Sequence, residues 1–134
     1  MAFFRPRVSR EAEVRFHADQ EVGKSYPALL EKAREAEDEL RRVRSGHATT
    51  GGLRAAGVAL DVALTEALRA AEAARRATLG VKAYDDRIVR RKRRATPAGA
   101  MWTTEVDRLR TLREEHRITG IARVPRPVPT TVKS

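Results

Sequence analysis

Apolar residues recur at helical spacing in two long segments of the chain, residues 26–45 and residues 53–79. One side of the first helix would carry Leu29, Leu30, Ala33, Ala36, Leu40 and Val43. One side of the second would carry Leu53, Ala56, Leu60, Ala63, Leu64, Ala67, Leu68, Ala71 and Ala74. Ser25 and Pro27 are typical of the start of the first helix, and Gly46 is typical of its end. Thr50 can cap the second helix.

The front part of the second segment also fits another structure. Val58, Leu60 and Val62 alternate with small or polar residues after Gly57, which is the period of a strand. Residues 53–62 therefore have a strand as the alternative. We favour a helix, because the alanine-rich stripe continues at helical spacing as far as Ala74.

Weaker patterns predict two further helices and a break. Ser9 can cap a helix that Gly23 interrupts. After the TPAGA segment at 96–100, which has the composition of a break, Thr104 and Asp107 form a capping box for a helix over 104–117. The buried stripe of that last helix would be Val106, Leu109 and Leu112. Residues 81–95 fit either a short helix or an exposed connector.

These elements predict an all-α fold, a helical hairpin or small bundle of three to four helices with extended N- and C-terminal arms. Helices 26–45 and 53–79 would form the antiparallel hairpin. We predict an N-terminal arm at 1–8, a helical domain at 9–118 with a basic connector at 81–95, and a Pro-rich C-terminal arm at 119–134. The arms would dock on partner proteins through Phe3, Phe4, Arg5, Val124, Pro125 and Pro127.

Charge is distributed unevenly along the 134 residues, whose formal net charge is +10. Residues 11–40 contain nine acids and four bases, whereas residues 81–95 contain seven bases and two acids. This separation predicts either complementarity within the chain or head-to-tail contact between copies. Of the 28 basic residues, 23 are Arg; a GC-rich genome raises Arg and Ala content by itself, so composition alone does not identify a binding surface.

The densest basic segment is the run from Arg90 to Arg94. Burying five charges is too costly, so we expect them to meet water, acids or phosphates. On a helix, a run of five would surround the axis. The predicted polyanion-binding residues are Arg87, Arg90, Arg91, Lys92, Arg93 and Arg94. The alternative is a solvated connector that only aids solubility.

Reading of base sequence is not expected, because the chain has no Asn and only one Gln, at position 20. Those are the side chains that pair bidentately with adenine. The polyanion would instead be DNA bound without sequence preference or an acidic protein surface.

No arrangement of residues indicates catalysis, and we predict no enzyme activity, no metal site and no cofactor. The histidines His17, His47 and His116 lack metal-ligand spacing and are expected at the surface of solvated helices. Cysteine is absent, as are a phosphate-binding P-loop and a GxSxG nucleophile motif. The run of acids between Glu35 and Glu39 fits a solvated helix face.

Together these patterns predict a non-enzymatic structural protein of a larger assembly. A bacteriophage virion component, such as a head–tail connecting or minor capsid protein with a basic face near DNA, fits its size and charge. The alternative is a nucleic-acid-binding protein without sequence preference, similar to nucleoid-associated proteins. Expected partners are copies of itself and other assembly proteins, with no membrane. With no apolar signal sequence or spanning segment, we expect the protein in a virion or in the cytoplasm of a bacterial host.

Overall fold

A computed structural model of the chain describes residues 8–119. Within this range the protein is all-α, with five α-helices, one 3-10 helix and no strand. The helices are α1 (Arg10–Lys24), α2 (Tyr26–Ser45), α3 (Thr50–Thr78), α4 (Arg87–Arg94) and α5 (Pro97–Thr119), and the 3-10 helix is Val81–Tyr84. The predicted docking residues Phe3, Phe4, Arg5, Val124, Pro125 and Pro127 lie outside the described residues.

One sequence prediction for a helix start is confirmed, and a second is wrong by one residue. The Ser9 hydroxyl accepts a hydrogen bond from the Ala12 N–H at 3.0 Å and so caps α1. For α3, the cap is Thr49 rather than Thr50, because the Thr49 hydroxyl accepts from the Gly52 N–H at 3.0 Å. The strand alternative for residues 53–62 is wrong, since these residues lie inside α3.

The prediction for the last helix was wrong at its start. The TPAGA segment is not a break but the first turn of α5, which begins at Pro97. The Thr96 hydroxyl accepts from the Gly99 N–H at 3.2 Å, and proline fits the first helical position because it has no N–H to leave unpaired. Thr104 therefore lies inside α5, and its capping-box role is replaced by that of Thr96. The stripe of Val106, Leu109 and Leu112 is buried as predicted.

The described residues form two compact units. One contains residues up to Tyr26 together with Arg69–Asp107, and the other contains Pro27–Leu68 with the residues from Arg108 onwards. Helices α3 and α5 contribute residues to both units.

Small side chains fill the core of the first unit. Its buried apolar residues are Ala12, Tyr26, Ala70, Ala71, Ala73, Ala74, Leu79, Ala83 and Val106. Gly23 is the second-last residue of α1, so the predicted interruption lies one residue from the end of the helix, and α1 packs closely on α3 there. A Cβ atom at Gly23 would lie 2.9 Å from the Ala74 Cα, so only glycine permits this approach.

Leucine dominates the core of the second unit, whose buried apolar residues are Ala33, Leu40, Ala56, Leu60, Leu64, Ala67, Leu68, Leu109 and Leu112. Two polar residues are also buried, in contrast to their predicted exposure. His116 is 8% exposed, and its Nε2–H donates to the Gly57 carbonyl at 2.8 Å. Glu37 is 1% exposed and pairs with Arg41 at 3.0 Å. Glu37 is tolerated because Arg41 pairs with it, whereas His116 has a partner at Nε2 but none at its buried Nδ1 within the described residues.

Candidate polyanion-binding surface

The basic run forms the regular helix α4, which begins and ends with local hydrogen bonds. The Asp86 carboxylate accepts from the backbone N–H groups of Ile88 at 2.9 Å and Val89 at 3.2 Å, which caps the first turn. Arginine is a good helix former, and cations are favoured in the last turn by the helix dipole. The sequence RIVRRKRR therefore forms a helix despite its charge.

Four of the six predicted residues share one side of α4. Arg87, Arg90, Arg91 and Arg94 have the spacing i, i+3, i+4 and i+7, which confines them to an arc of about 100°. They line an open recess of about 330 Å³. We call these four residues the arginine face. The run Arg90–Arg94 surrounds the axis of α4, as expected for a helix, and Arg87 adds a further charge to the side that holds Arg90, Arg91 and Arg94.

The arginine face contains four like-charged pairs at helical neighbour positions. Such pairs each destabilise an isolated helix by about 0.2–0.5 kcal/mol. Within residues 8–119 no carboxylate forms a salt bridge with any of the four guanidinium groups. The four arginines therefore repel one another, and no carboxylate in this part of the chain offsets that repulsion. A surface of this kind is typical of a site that binds an anion.

The two acids nearest in sequence are already engaged elsewhere. Asp86 caps α4, and the Asp85 carboxylate accepts from the Ser9 backbone N–H at 2.9 Å and from the Ser9 hydroxyl at 3.2 Å. Their hydrogen bonds direct both carboxylates to backbone and hydroxyl donors. Neither carboxylate forms a salt bridge with an arginine of α4.

Two arginines also attach α4 to the preceding segment. Arg90 donates from its Nη1 to the Ala83 carbonyl at 2.7 Å, and Arg93 donates from its Nη1 to the Leu79 carbonyl at 2.9 Å. The Arg93 side chain crosses Gly80, whose φ of 91° is the only positive value among the described residues. Arg93 and Lys92 lie outside the arginine face. A guanidinium has five donors, so Arg90 keeps further donors for an anion.

A second, smaller recess adjoins the arginine face and shares Arg90 with it. This recess of about 140 Å³ is lined by Arg15, Arg76, Leu79, Ala83, Tyr84 and Arg90. The Arg15 guanidinium lies 5.7 Å from the centre of the Tyr84 ring, within the range of a cation–π contact. The basic surface therefore extends beyond the run that the sequence singled out.

A three-residue cluster orients the side chains around the smaller recess. Arg76 binds Asp19 with two parallel hydrogen bonds of 2.9 and 3.0 Å, and the Tyr84 hydroxyl donates to Asp19 at 2.6 Å. Sequence reasoning missed this cluster. Asp19 and Arg76 are 57 positions apart, and no local pattern connects them.

Partial burial would raise the pKa of the Asp19 carboxyl, but the hydrogen bonds from Arg76 and Tyr84 outweigh it and hold that pKa below its ordinary value. Burial and the bond to Asp19 raise the pKa of Tyr84 well above its ordinary value. Tyr84 therefore remains a hydrogen-bond donor at physiological pH.

The chemical groups that this surface offers to a ligand are guanidinium groups. Several guanidinium forks on one helix side can bind phosphate or carboxylate oxygens bidentately. Within the described residues, no group of three or more His, Asp or Glu side chains is placed to hold a metal ion. None of the described helices is long and apolar enough to cross a membrane.

No protein-family model matches the chain, and comparison with curated proteins and with solved structures finds no significant match.

Proposed function

We propose that the protein is a non-enzymatic structural component of a larger assembly, and that its arginine face binds the phosphate backbone of a nucleic acid without reading base sequence. The observation that carries this proposal is the set of four arginines on one side of α4 without a carboxylate partner in the described part of the chain. Phosphate contacts fix position on a nucleic acid but carry no sequence information.

The size of α4 sets how many phosphates it would meet. Eight residues span about 12 Å along a helix axis. One strand of B-DNA has a phosphate every 3.4 Å or so along its axis, which gives about three to four phosphates beside α4. Release of their counterions would give a slope of about −3 for the logarithm of the binding constant against the logarithm of salt concentration.

The proposed assembly is a bacteriophage virion, in which a head–tail connecting or minor capsid protein would lie near packaged DNA. We further propose that α2 and α3 form an antiparallel hairpin, which the short connection between Ser45 and Thr50 favours. The terminal arms at 1–8 and 119–134 would dock on neighbouring subunits. The alternative function is a free nucleic-acid-binding protein of the nucleoid-associated type.

The proposal is tested by the salt dependence of binding to duplex DNA. We expect Arg87→Gln/Arg91→Gln to reduce the slope by about two, because each arginine that contacts a phosphate contributes about one. Both side chains are exposed, so circular dichroism should show unchanged helix content. The measurement is fluorescence anisotropy with labelled DNA at several salt concentrations.

The matched control is Arg10→Gln/Lys32→Gln, which removes the same charge from exposed positions on α1 and α2. An equal loss of slope in both variants would show that net charge alone drives binding, and would contradict the role of α4. Competition with polyglutamate distinguishes DNA from an acidic protein surface as the polyanion. If polyglutamate displaces DNA at an equal concentration of charges, the partner is an acidic protein instead.

The mass of the protein in solution distinguishes an assembly component from a free nucleic-acid-binding protein. Light scattering should show a defined oligomer if the protein is an assembly component. A monomer that binds DNA with the expected slope would favour the nucleoid-associated alternative, and a monomer that does not bind DNA would contradict both.

A further inference from the structure

An exposed apolar surface lies on α3 in the second unit, away from the leucine core. Val58 is 56% exposed and Val62 is 50% exposed. Ala55 and Ala59 lie beside them and are also exposed. Across these three turns, the exposed positions are apolar in the middle and charged only at the two ends. We call this surface the α3 outer face and define it as Arg54, Ala55, Val58, Ala59, Val62 and Glu66.

This composition is unusual for the chain. Charged residues make up 34% of the sequence, yet four adjacent exposed positions on one helix side carry none. The opposite side of the same helix is buried through Ala56, Leu60 and Leu64. An apolar patch with a charged rim is typical of a protein–protein contact.

Four residues of the α3 outer face are arranged symmetrically about Leu60. Val58 and Val62 each lie two positions from it, and Arg54 and Glu66 each lie six positions from it. Six residues span about 9 Å of helix axis. If a second copy of α3 packs antiparallel with its twofold axis at Leu60, each Val58 meets a Val62, and each Arg54 meets a Glu66.

Such an arrangement meets the requirement for a closed twofold interface, in which one surface is complementary to itself. Arg54 and Glu66 form no salt bridge within residues 8–119, so both charges are available to a second copy. The small residues Ala55 and Ala59 permit close approach of the two helices. A partner of unrelated sequence would not require opposite charges at equal distances from one midpoint.

We propose that the α3 outer face is a homodimer interface between antiparallel α3 helices, with two Arg54–Glu66 pairs at its ends. The inference rests on the proposed role as an assembly component, and it identifies the surface through which two copies of the chain contact each other. An interface formed by one helix pair is small, so we expect a reversible dimer whose population rises with protein concentration.

The test uses two charge reversals in the full chain. Arg54→Glu places two acids opposite each other at both ends of the interface, and Glu66→Arg places two bases there. We expect each variant to lose the dimer, so that sedimentation analysis shows the mass falling from twice the chain mass of 15.0 kDa to the single chain mass. Circular dichroism should remain unchanged, because both side chains are exposed.

Mixing the two variants tests the antiparallel register itself. In a mixed dimer, both ends pair one acid with one base, so an equimolar mixture should recover the dimer that neither variant forms alone. The double variant Arg54→Glu/Glu66→Arg should also dimerise. Matched controls are Lys32→Glu and Glu35→Arg on the exposed side of α2, which make the same charge changes in the same unit and should keep the wild-type mass.

A wild-type protein that stays monomeric at all concentrations would overturn the proposal, as would single variants with wild-type mass or a mixture that stays monomeric. A monomer in which removal of residues 120–134 changes the NMR signals of Val58 and Val62 would instead show that the C-terminal segment covers this face. The salt slope of the α4 variants is a separate measurement, so failure of the dimer and failure of phosphate binding are distinguishable.

Discussion

Arginine side chains in this protein differ in what their guanidinium groups contact. Arg76 and Arg117 each pair with one aspartate through two hydrogen bonds, to Asp19 and Asp61 respectively. Arg90 and Arg93 bind backbone carbonyls, whereas Arg87 contacts no carboxylate in the described part of the chain. The same residue type thus pairs with residues of the fold at some positions and has no carboxylate partner within residues 8–119 at others.

At the residue scale, the Asp19 cluster predicts a stability that depends on pH. The pKa of Asp19 is lower in the folded protein than its ordinary value of 3.8. The ionised carboxylate therefore stabilises the fold at neutral pH, and this contribution is lost as pH falls through the folded pKa.

We expect Asp19→Asn to lower the free energy of unfolding at pH 7 by about 1–2 kcal/mol, a value limited by water around the half-exposed Arg76. As pH falls from the ordinary pKa of 3.8 through the lower pKa of the folded protein, the difference between the two proteins should shrink. Urea unfolding at pH 7 and pH 3 measures both. Glu35→Gln, at an exposed position, is the control and should change little at either pH. A difference for Asp19→Asn that does not depend on pH would contradict the ion pair.

Glycines within helices have different roles in different elements. Gly23 lies where α1 approaches the backbone of α3, and a Cβ there would lie 2.9 Å from the Ala74 Cα and 3.1 Å from the Ala74 N. Gly57 lies within α3, and a Cβ there would meet no atom within 4 Å. The sequence shows both as glycines in helical patterns, and only packing distinguishes them.

At the element scale, alanine substitution should therefore have opposite effects at the two sites. We expect Gly23→Ala to lower the free energy of unfolding by about 1–3 kcal/mol, because α1 must move away from α3. We expect Gly57→Ala to raise it by about 0.5–1 kcal/mol, because alanine favours the helix and has room. Urea unfolding of the two variants provides the comparison. Equal changes in the free energy of unfolding would show that helix propensity determines the effect at both positions, and that the close approach of α1 to α3 at Gly23 does not.

Positive charge dominates the whole molecule, with a net charge of +10. Self-repulsion of this size opposes the compact state, and a bound polyanion removes part of it. Any ligand that binds only the folded protein also stabilises it by mass action.

At the scale of the molecule, we expect a short DNA duplex at 100 times its dissociation constant to stabilise the wild-type protein by about 2.7 kcal/mol. Thermal unfolding followed by circular dichroism measures the shift. Arg87→Gln/Arg91→Gln should show a smaller shift at the same DNA concentration, whereas Arg10→Gln/Lys32→Gln should retain most of it. A shift that is equal in the two variants would place the binding surface away from α4.

Local sequence was sufficient for the all-α class, for the bounds of α2 and for most of the buried stripes, because hydrophobic periodicity and helix caps act over a few residues. It failed at Pro97, where composition alone does not separate a break from a first helical turn. The basic run was also visible, but the alignment of Arg87, Arg90, Arg91 and Arg94 on one side required a helix that begins directly after Asp86.

What the sequence alone determined is the helical class, the excess of positive charge and its concentration at residues 87–94. Only the tertiary structure decided which of those charges lack a partner. The Asp19–Arg76 pair joins residues 57 positions apart, and the Asp85–Ser9 contact joins residues 76 positions apart. Contacts of this range depend on how helices pack, and packing is set by side-chain shapes on several elements at once. That is why the arginine face is a property of the folded protein rather than of the basic run.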